Sequence, residues 1–287
     1  MTIDAHVHIW EAGSLQTQWM EKPPYQGDPK WEPLRATFRP ADLEALMGAS
    51  GVDGAVLVEA VDDLEETEAL LAICRQNAWV SGVVGWLPLT DMDALEAALE
   101  RFSTAPALVG MRHLINTEPD PDWVLQESVV AGLKRLAQAG LSFDFVGITT
   151  EHLERLPRLA DACPDLTIVL DHLNCPPIAD GAFQPWADLL AAAATRANVV
   201  AKISGLEMCS RWGDWTSEDW RPYADHALSC FGADRVMLGS NWPVATLSGR
   251  YEEIWAAHRA WLSALSASEQ ADIASGTAGR VYAHRAT

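Results

Sequence analysis

The sequence is poor in cysteine, and its cysteines are not spaced for a structural role. There are five in 287 residues, an odd number without any C-x-x-C pair. That spacing argues against a disulfide framework and against a zinc ion held by paired cysteines. We therefore expect reduced thiols in a cytoplasmic protein, at Cys74, Cys163, Cys175, Cys209 and Cys230.

Basic residues and long apolar runs are also scarce. The chain has 20 basic and 40 acidic side chains and a formal net charge of -20, which would repel nucleic acid and anionic membranes. No window approaches the roughly 18 apolar residues of a membrane span, and the first residues lack a basic segment followed by an apolar run. We expect a soluble protein with a small-molecule substrate and neither nucleic acid nor membrane as a partner. The helix-rich pattern is compatible with a monomer or a homodimer.

What the chain does contain is enough apolar sequence for one large core. Hydrophobic residues make up 49% of it and no linker divides it, so a single domain over residues 1–287 is predicted. Short β-branched runs alternate with longer segments rich in Ala, Leu and Glu, which is typical of βα units. The predicted strands are 2–8, 54–60, 80–87, 107–114, 141–146, 166–172, 198–204 and 235–241. The predicted helices lie near 41–49, 64–77, 91–103, 122–139, 151–162, 183–196, 217–231, 251–264 and 268–281.

This alternation predicts an α/β fold, a (β/α)8 TIM barrel whose functional groups gather where strands end. A doubly wound open sheet is the alternative, although the sequence lacks the Gly-x-Gly-x-x-Gly phosphate turn usual in that fold. The segment 11–40 is too irregular for a simple connector, and we expect it to fold over the barrel mouth. Its tryptophans and prolines are Trp19, Trp31, Pro23, Pro24 and Pro29.

Two histidines lie two residues apart on the first predicted strand. Because residues i and i+2 of a strand point to the same side, His6 and His8 would aim their imidazoles at one spot. Taken alone, the pair is equally consistent with hydrogen-bonded structural histidines.

Further polar residues end the later predicted strands, where a barrel would bring them together. They are Arg112, His113, Asp144, Asp171, His172, Lys202, Ser204, Ser240 and Asn241. Two alternatives stay open: Asp144 and Lys202 as a buried ion pair, and Arg112 as a helix cap.

Six motifs, in order along the chain, carry a family resemblance. They are IDAHVHIW (3–10), VGW (84–86), GMRH (110–113), VLDH (169–172), VAKISGL (200–206) and MLGSNWPV (237–244). In these motifs the chain resembles the amidohydrolase superfamily, in the lactonase-like branch that includes L-fuconolactonase, L-rhamnonolactonase and the pyrone-dicarboxylate lactonases.

The resemblance implies hydrolysis of a sugar-acid lactone in carbohydrate metabolism. It implies that His6, His8 and His172 either hold one divalent metal ion, zinc or manganese, or polarise the carbonyl without metal. It also implies that an acid on strand eight activates the attacking water.

The chain departs from the lactonases at that acid. Their Gly-Ser-Asp-Trp-Pro-Val reads Gly-Ser-Asn-Trp-Pro-Val here, and Asn241 cannot accept a proton near neutral pH. Three explanations are open: a natural branch with another base, a weakly catalytic binding protein, or a substitution that traps a ligand. In a natural branch Asn241 would position water while His113 or Asp171 takes the proton, so His113, His172 and Asn241 form the predicted catalytic set.

Tryptophans at or beyond strand ends suggest a substrate with C–H faces, such as a sugar ring, although rim packing is the alternative for each one. Arg112, with Lys202 behind it, could bind either a carboxylate or a polarised lactone oxygen. Both neutral and carboxylated lactones are therefore possible substrates. The predicted substrate-binding residues are Trp10, Trp86, Trp242, Arg112, Asp144 and Lys202. The alternative functions are another reaction on the same scaffold, amide hydrolysis or decarboxylation of a small acid, and non-catalytic ligand binding.

Overall fold

The computed structural model describes residues 1–21 and 25–284. Its eight parallel strands form one sheet in sequential order. They are β1 (Ile3–Val7), β2 (Gly54–Val58), β3 (Val80–Gly85), β4 (Leu108–His113), β5 (Ser142–Phe145), β6 (Ile168–Leu170), β7 (Val199–Ile203) and β8 (Val236–Leu238). The sheet returns on itself, because His8 N donates to Trp242 O at 2.7 Å and Asn241 N to His6 O at 2.9 Å. The predicted (β/α)8 barrel is confirmed and the open sheet is wrong.

Helices follow the strands as predicted, with three differences. They are α1 (Pro40–Ser50), α2 (Leu64–Gln76), α3 (Met92–Arg101), α4 (Glu127–Gln138), α5 (Thr150–Ala162), α6 (Trp186–Ala194), α7 (Leu206–Cys209), α8 (Ser217–Phe231), α9 (Tyr251–Leu262), α10 (Ala267–Ala271) and α11 (Thr277–Val281). The short helix α7 was not predicted. The stretch 122–139 begins as a separate 3₁₀ turn, and a π-helical turn at Asp272–Gly276 divides the last predicted helix. None of the helices in the described residues is both long and apolar enough to cross a bilayer.

Apolar residues pack in two layers, one on each face of the sheet. Outward-facing residues such as Leu57 and Met111 pack against the helices, and inward-facing Ile3 and Val56 fill the barrel. Tyr282, at the end of α11, belongs to the inner layer. Together these contacts fill the amino-terminal half of the barrel, so side chains that need a cavity gather at the carboxyl end of the strands.

Candidate active site

A bulge in β1 places both histidines of the first motif inside the barrel. The register between β1 and β2 shifts between Asp4 and Val7, so Ala5 and His6 both face inward while Val7 packs outward. The two imidazoles meet with 3.2 Å between His6 Nε2 and His8 Nε2. Both side chains are buried, and the prediction that His6 and His8 point to one spot is therefore confirmed.

A left-handed turn after β6 brings a third imidazole to the same place. Four consecutive residues, His172 to Cys175, have φ between 49° and 58°, a region that non-glycine residues seldom adopt. The turn sets the ring centroid of His172 4.4 Å from that of His6. His172 Nδ1 lies 2.8 Å from Ser204 Oγ and 3.2 Å from Ser204 O. The strand-end residues of β6 and β7 thus orient this ring.

A backbone carbonyl fixes the tautomer of His8, and another favours the same tautomer in His172. Val58 O lies 2.8 Å from His8 Nδ1, and a carbonyl only accepts, so His8 Nδ1 carries the proton and its Nε2 carries a lone pair. At His172, Ser204 O at 3.2 Å favours the same tautomer, and the nearer Ser204 Oγ at 2.8 Å is compatible with it because a hydroxyl can accept as well as donate. Burial lowers the pKa of His8 to about 3 and that of His172 to about 4. Both rings are therefore neutral near pH 7.

Beneath the histidines lies a buried ion network. Lys202 Nζ lies 2.5 Å from Asp144 Oδ2 and 3.0 Å from Asp171 Oδ1, and Tyr282 OH donates to Asp144 Oδ2 at 2.7 Å. Burial raises the pKa of Asp144 to about 6 despite Lys202. At Asp171 burial also favours the neutral form, but Lys202 and His6 outweigh it and hold the pKa well below its usual range. Asp144 and Lys202 therefore form the buried pair that was the alternative to substrate contact, and neither lines the cavity described below.

Arg112 is held in place by an acid that sequence reasoning missed. Its Nε donates to Glu59 Oε1 at 2.8 Å and its second terminal nitrogen to Glu59 O. The other terminal nitrogen lies 3.3 Å from His6 Nε2 and 3.4 Å from Asp171 Oδ2. Burial opposes the charge, but Glu59 and Asp171 outweigh it and raise the pKa of Arg112. Glu59 directly follows β2, so the strand-end rule applied to the other strands would have found it.

The uppermost of these polar side chains form the floor of a cavity of about 430 Å³. The floor carries four polar side chains, and the wall is largely aromatic. His8, Arg112, His172 and Asn241 belong to the floor, and Trp10, Trp19, Tyr25, Trp31 and Trp212 belong to the wall. Three of the wall residues, Trp19, Tyr25 and Trp31, come from the segment 11–40, which confirms that this segment folds over the barrel mouth. Its Pro23 and Pro24 lie outside the described residues.

Asn241 presents its amide to this floor. The residue follows β8 in a left-handed conformation with φ of 59°, and its side chain lies beside Gly205 and His172. A methyl group on Gly205 would lie 3.1 Å from Asn241 Nδ2 and 3.2 Å from His172 Nδ1. Glycine at 205 therefore leaves room for the amide and the imidazole to lie close together.

Besides Asp144 and Lys202, three more of the predicted site residues lie outside the cavity. His113 shares its side of β4 with Met111 and faces outward, where it stacks on Trp123 with ring centroids 4.0 Å apart. Trp86 Nε1 donates to His113 Nδ1 at 3.1 Å. Trp242 is buried with its ring centroid 5.4 Å from that of Phe38. The residues that line the cavity do not include His113, Trp86 or Trp242, because neighbouring residues of a strand face opposite ways.

Two further buried acids support the end of β8. Asp4 accepts hydrogen bonds from Ser240 N at 2.8 Å and Tyr251 OH at 3.1 Å, and burial raises its pKa to about 6. Glu207, on α7, is buried and its Oε1 has no hydrogen-bond partner among the described residues. Burial raises the pKa of Glu207 to about 8, so this carboxyl is protonated near neutral pH.

Replacing Glu207 with glutamine is expected to change how stability depends on pH. Folding raises the pKa of Glu207 from about 4.3 in the unfolded chain to about 8, so the stability it contributes is present below the lower value and lost as pH rises through the higher one. Relative to the wild type, Glu207→Gln should gain a few kcal/mol between about pH 5 and pH 8. Urea denaturation at both pH values measures the gain. The exposed Glu218→Gln is the control, and a difference that does not vary with pH would contradict the assignment.

The donor set at the floor and directly beneath it fits a divalent metal ion. Ligand atoms of His6, Asp171 and His172 lie within 4.8 Å of one another, and His8 Nε2 adds a lone pair beside His6. Asp171 Oδ1 is buried and lies 3.0 Å from Lys202 Nζ, so a bound ion would share this carboxylate with the lysine. Neutral imidazoles and a carboxylate are ligands that zinc and manganese accept.

A (β/α)8 barrel that gathers imidazoles and a carboxylate at the carboxyl ends of its strands has the layout of a barrel enzyme. The family model for amidohydrolases matches residues 3–283, and the chain belongs to that family. The predictions of an amidohydrolase and of a hydrolytic enzyme are thereby confirmed.

Individual relatives match nearly the whole chain. It is 32% identical over 268 residues to an L-fucono-1,5-lactonase of Burkholderia ambifaria, covering 91% of this chain and 85% of that one. A crystal structure of a Burkholderia multivorans amidohydrolase with bound HEPES superposes with a TM-score of 0.91 at 28% identity, over 99% of this chain and 100% of that one. A second crystal form, with bound zinc, gives a TM-score of 0.89 with the same identity and coverage.

Proposed function

We propose that this protein hydrolyses a sugar-acid lactone, such as a fucono- or rhamnono-lactone, to the open hydroxy acid. The observation that carries the proposal is the set of groups on the cavity floor: two imidazole lone pairs, a guanidinium and an amide beside one another. Ester hydrolysis needs a polarised carbonyl and an oriented water. The relative named as an L-fucono-1,5-lactonase, 32% identical over 268 residues, supports a lactone as the ester.

Arg112 is the group that would stabilise the developing oxyanion. A guanidinium has five N–H donors, and Glu59, His6 and Asp171 do not use all of them. Because Arg112 lines the cavity, a remaining N–H can point at the lactone carbonyl oxygen. Glu59 fixes the guanidinium beforehand, which is the preorganisation that oxyanion stabilisation requires.

Asn241 and His172 would act on the water. The Asn241 amide oxygen accepts one hydrogen bond from the water and orients it, and neutral His172 accepts the other proton at Nε2. The water oxygen bonds to the carbonyl carbon, the ring C–O bond breaks, and His172 returns the proton to the departing ring oxygen. The sum is one water added and one ester bond lost.

His6, His8, His172 and Asp171 would hold a metal ion. A zinc or manganese ion bound there would polarise the carbonyl and lower the pKa of water. The His172 Nε2 lone pair can serve an ion or a proton, but not both at once.

Activity against a panel of aldonolactones, followed with a pH indicator, tests the function. We expect turnover by the wild type and faster turnover by Asn241→Asp, because a carboxylate accepts a proton where an amide cannot. Each protein is assayed with chelator and with added zinc or manganese, which decides whether turnover depends on an ion.

Non-catalytic ligand binding is the second candidate, and Asn241 is the observation that favours it. It predicts saturable binding of the lactone without turnover, both in the wild type and in Asn241→Asp. If only Asn241→Asp turns over a lactone, the wild type is a binding protein on a scaffold that can support lactone hydrolysis. Absence of turnover and of lactone binding in both proteins would overturn the proposal for the lactones tested.

A further inference from the structure

We propose that Tyr25 and Asn116 form a hydroxyl-binding pair on the cavity wall, which selects lactones that carry a ring hydroxyl over lactones that do not. This inference rests on the proposed function and concerns the part of the substrate away from the reacting carbonyl.

The pair belongs to the cavity but not to its reactive floor. Tyr25 comes from the segment after β1, and Asn116 from the 3₁₀ turn Ile115–Thr117 after β4. Both line the same cavity as His8, Arg112 and His172. A substrate whose ester lies on the floor therefore shares one cavity with this pair.

Tyr25 and Asn116 each keep one polar group without a hydrogen-bond partner among the described residues. Asn116 Nδ2 donates to Tyr25 OH at 3.4 Å, so the phenol oxygen accepts and its own proton stays available. Asn116 Oδ1 is buried and has no hydrogen-bond partner among the described residues. The wall thus holds one unused donor and one unused acceptor on neighbouring side chains.

A hydroxyl is the group that satisfies both at once, because it donates and accepts. A methylene at the same place would leave a buried acceptor unpaired, which is unfavourable. A site built in this way discriminates against an analogue that lacks the hydroxyl.

The phenol is held as a donor and in a fixed direction. Burial raises the pKa of Tyr25, so it keeps its proton at neutral pH. Its ring contacts Trp19 and Trp31 edge to face, with centroids 4.9 Å and 5.0 Å away. Such contacts restrict the ring and aim the hydroxyl.

The test compares two six-membered lactones, L-fucono-1,5-lactone with its hydroxyls and δ-valerolactone without them. For the wild type, Tyr25→Phe and Asn116→Leu, the measured quantity is the ratio of kcat/KM for the first lactone to that for the second. We expect the ratio to fall about tenfold in each variant, the size of one lost hydrogen bond of about 1.4 kcal/mol. Tyr223→Phe is the matched control, because its hydroxyl donates to Ala182 O and does not line the cavity.

The outcomes separate this inference from the proposed function. An equal loss for both lactones, or no loss for either, would overturn the pair as a selector. If the wild type opens neither lactone, the proposed function fails for these substrates. Calorimetry then measures the binding of the two ring-opened acids, which tests the Tyr25–Asn116 pair without turnover. There we expect Tyr25→Phe to weaken binding of the L-fucono acid about tenfold relative to 5-hydroxyvalerate, and an unchanged ratio would overturn the inference.

Discussion

Replacing His172 with glutamine is expected to lower kcat/KM for lactone opening by about 10²–10⁴-fold, the range of a lost general base. The glutamine amide fills similar space but cannot accept a proton. The imidazole it replaces is neutral, because burial lowers the pKa of His172 to about 4, and its Nδ1 proton is engaged by Ser204. Steady-state rates on the lactone that the wild type opens fastest measure the effect.

A second histidine variant shows whether the loss belongs to the cavity. His226→Gln changes a residue of α8 whose Nε2 lies 2.9 Å from Ala187 O, and it does not line the cavity. We expect its kcat/KM to stay within threefold of the wild type, a small change beside a lost general base. An equally small effect of His172→Gln, in a folded protein, would remove His172 from the reaction.

Replacing Lys202 with methionine is expected to destabilise the protein by about 3–5 kcal/mol, the cost of removing one partner from a buried ion pair. Because methionine is similar in length to lysine, the loss of stability comes from the missing charge more than from a change in side-chain volume. Asp144 and Asp171 would be left buried beside each other without their shared cation. Thermal unfolding should show Tm lower by on the order of 10 °C.

A double-mutant cycle separates the charge from the packing. Because Asp144→Asn removes one of the stranded carboxylates, the double variant Lys202→Met/Asp144→Asn should lose less stability than the sum of the single variants. Lys134→Met, at an exposed position of α4, is the control and should change stability by less than about 0.5 kcal/mol. Strict additivity would contradict the ion network as the source of the loss.

The sequence predicts the barrel well because its strands are buried on both faces. Runs such as Gly54–Val58 and Val199–Ile203 are buried throughout, so β-branched apolar stretches separated by helices identify them. The family motifs then locate His6, His8 and His172, which the structure brings within one cluster. These parts of the site depend on local pattern and on strand order alone.

Other parts of the site depend on backbone details that a pattern does not contain. The motif GMRH suggests that Arg112 and His113 act together, but strand alternation turns His113 away from the cavity. The left-handed turn from His172 to Cys175 contains no glycine that would signal it, and the residue pattern of β1 does not mark its bulge. The role of Lys202 also depends on the strands beside it, since Asp144 and Asp171 come from β5 and the end of β6.

Asn241 illustrates how this barrel separates its architecture from its chemistry. The backbone N–H of Asn241 closes the seam between the first and last strands by donating to His6 O at 2.9 Å, whereas its side chain faces the cavity. At Asn241 the seam uses only the main chain and is indifferent to whether the side chain ends in an amide or a carboxylate. At this position a change of one side-chain group can alter the proton chemistry of the cavity while the barrel stays closed.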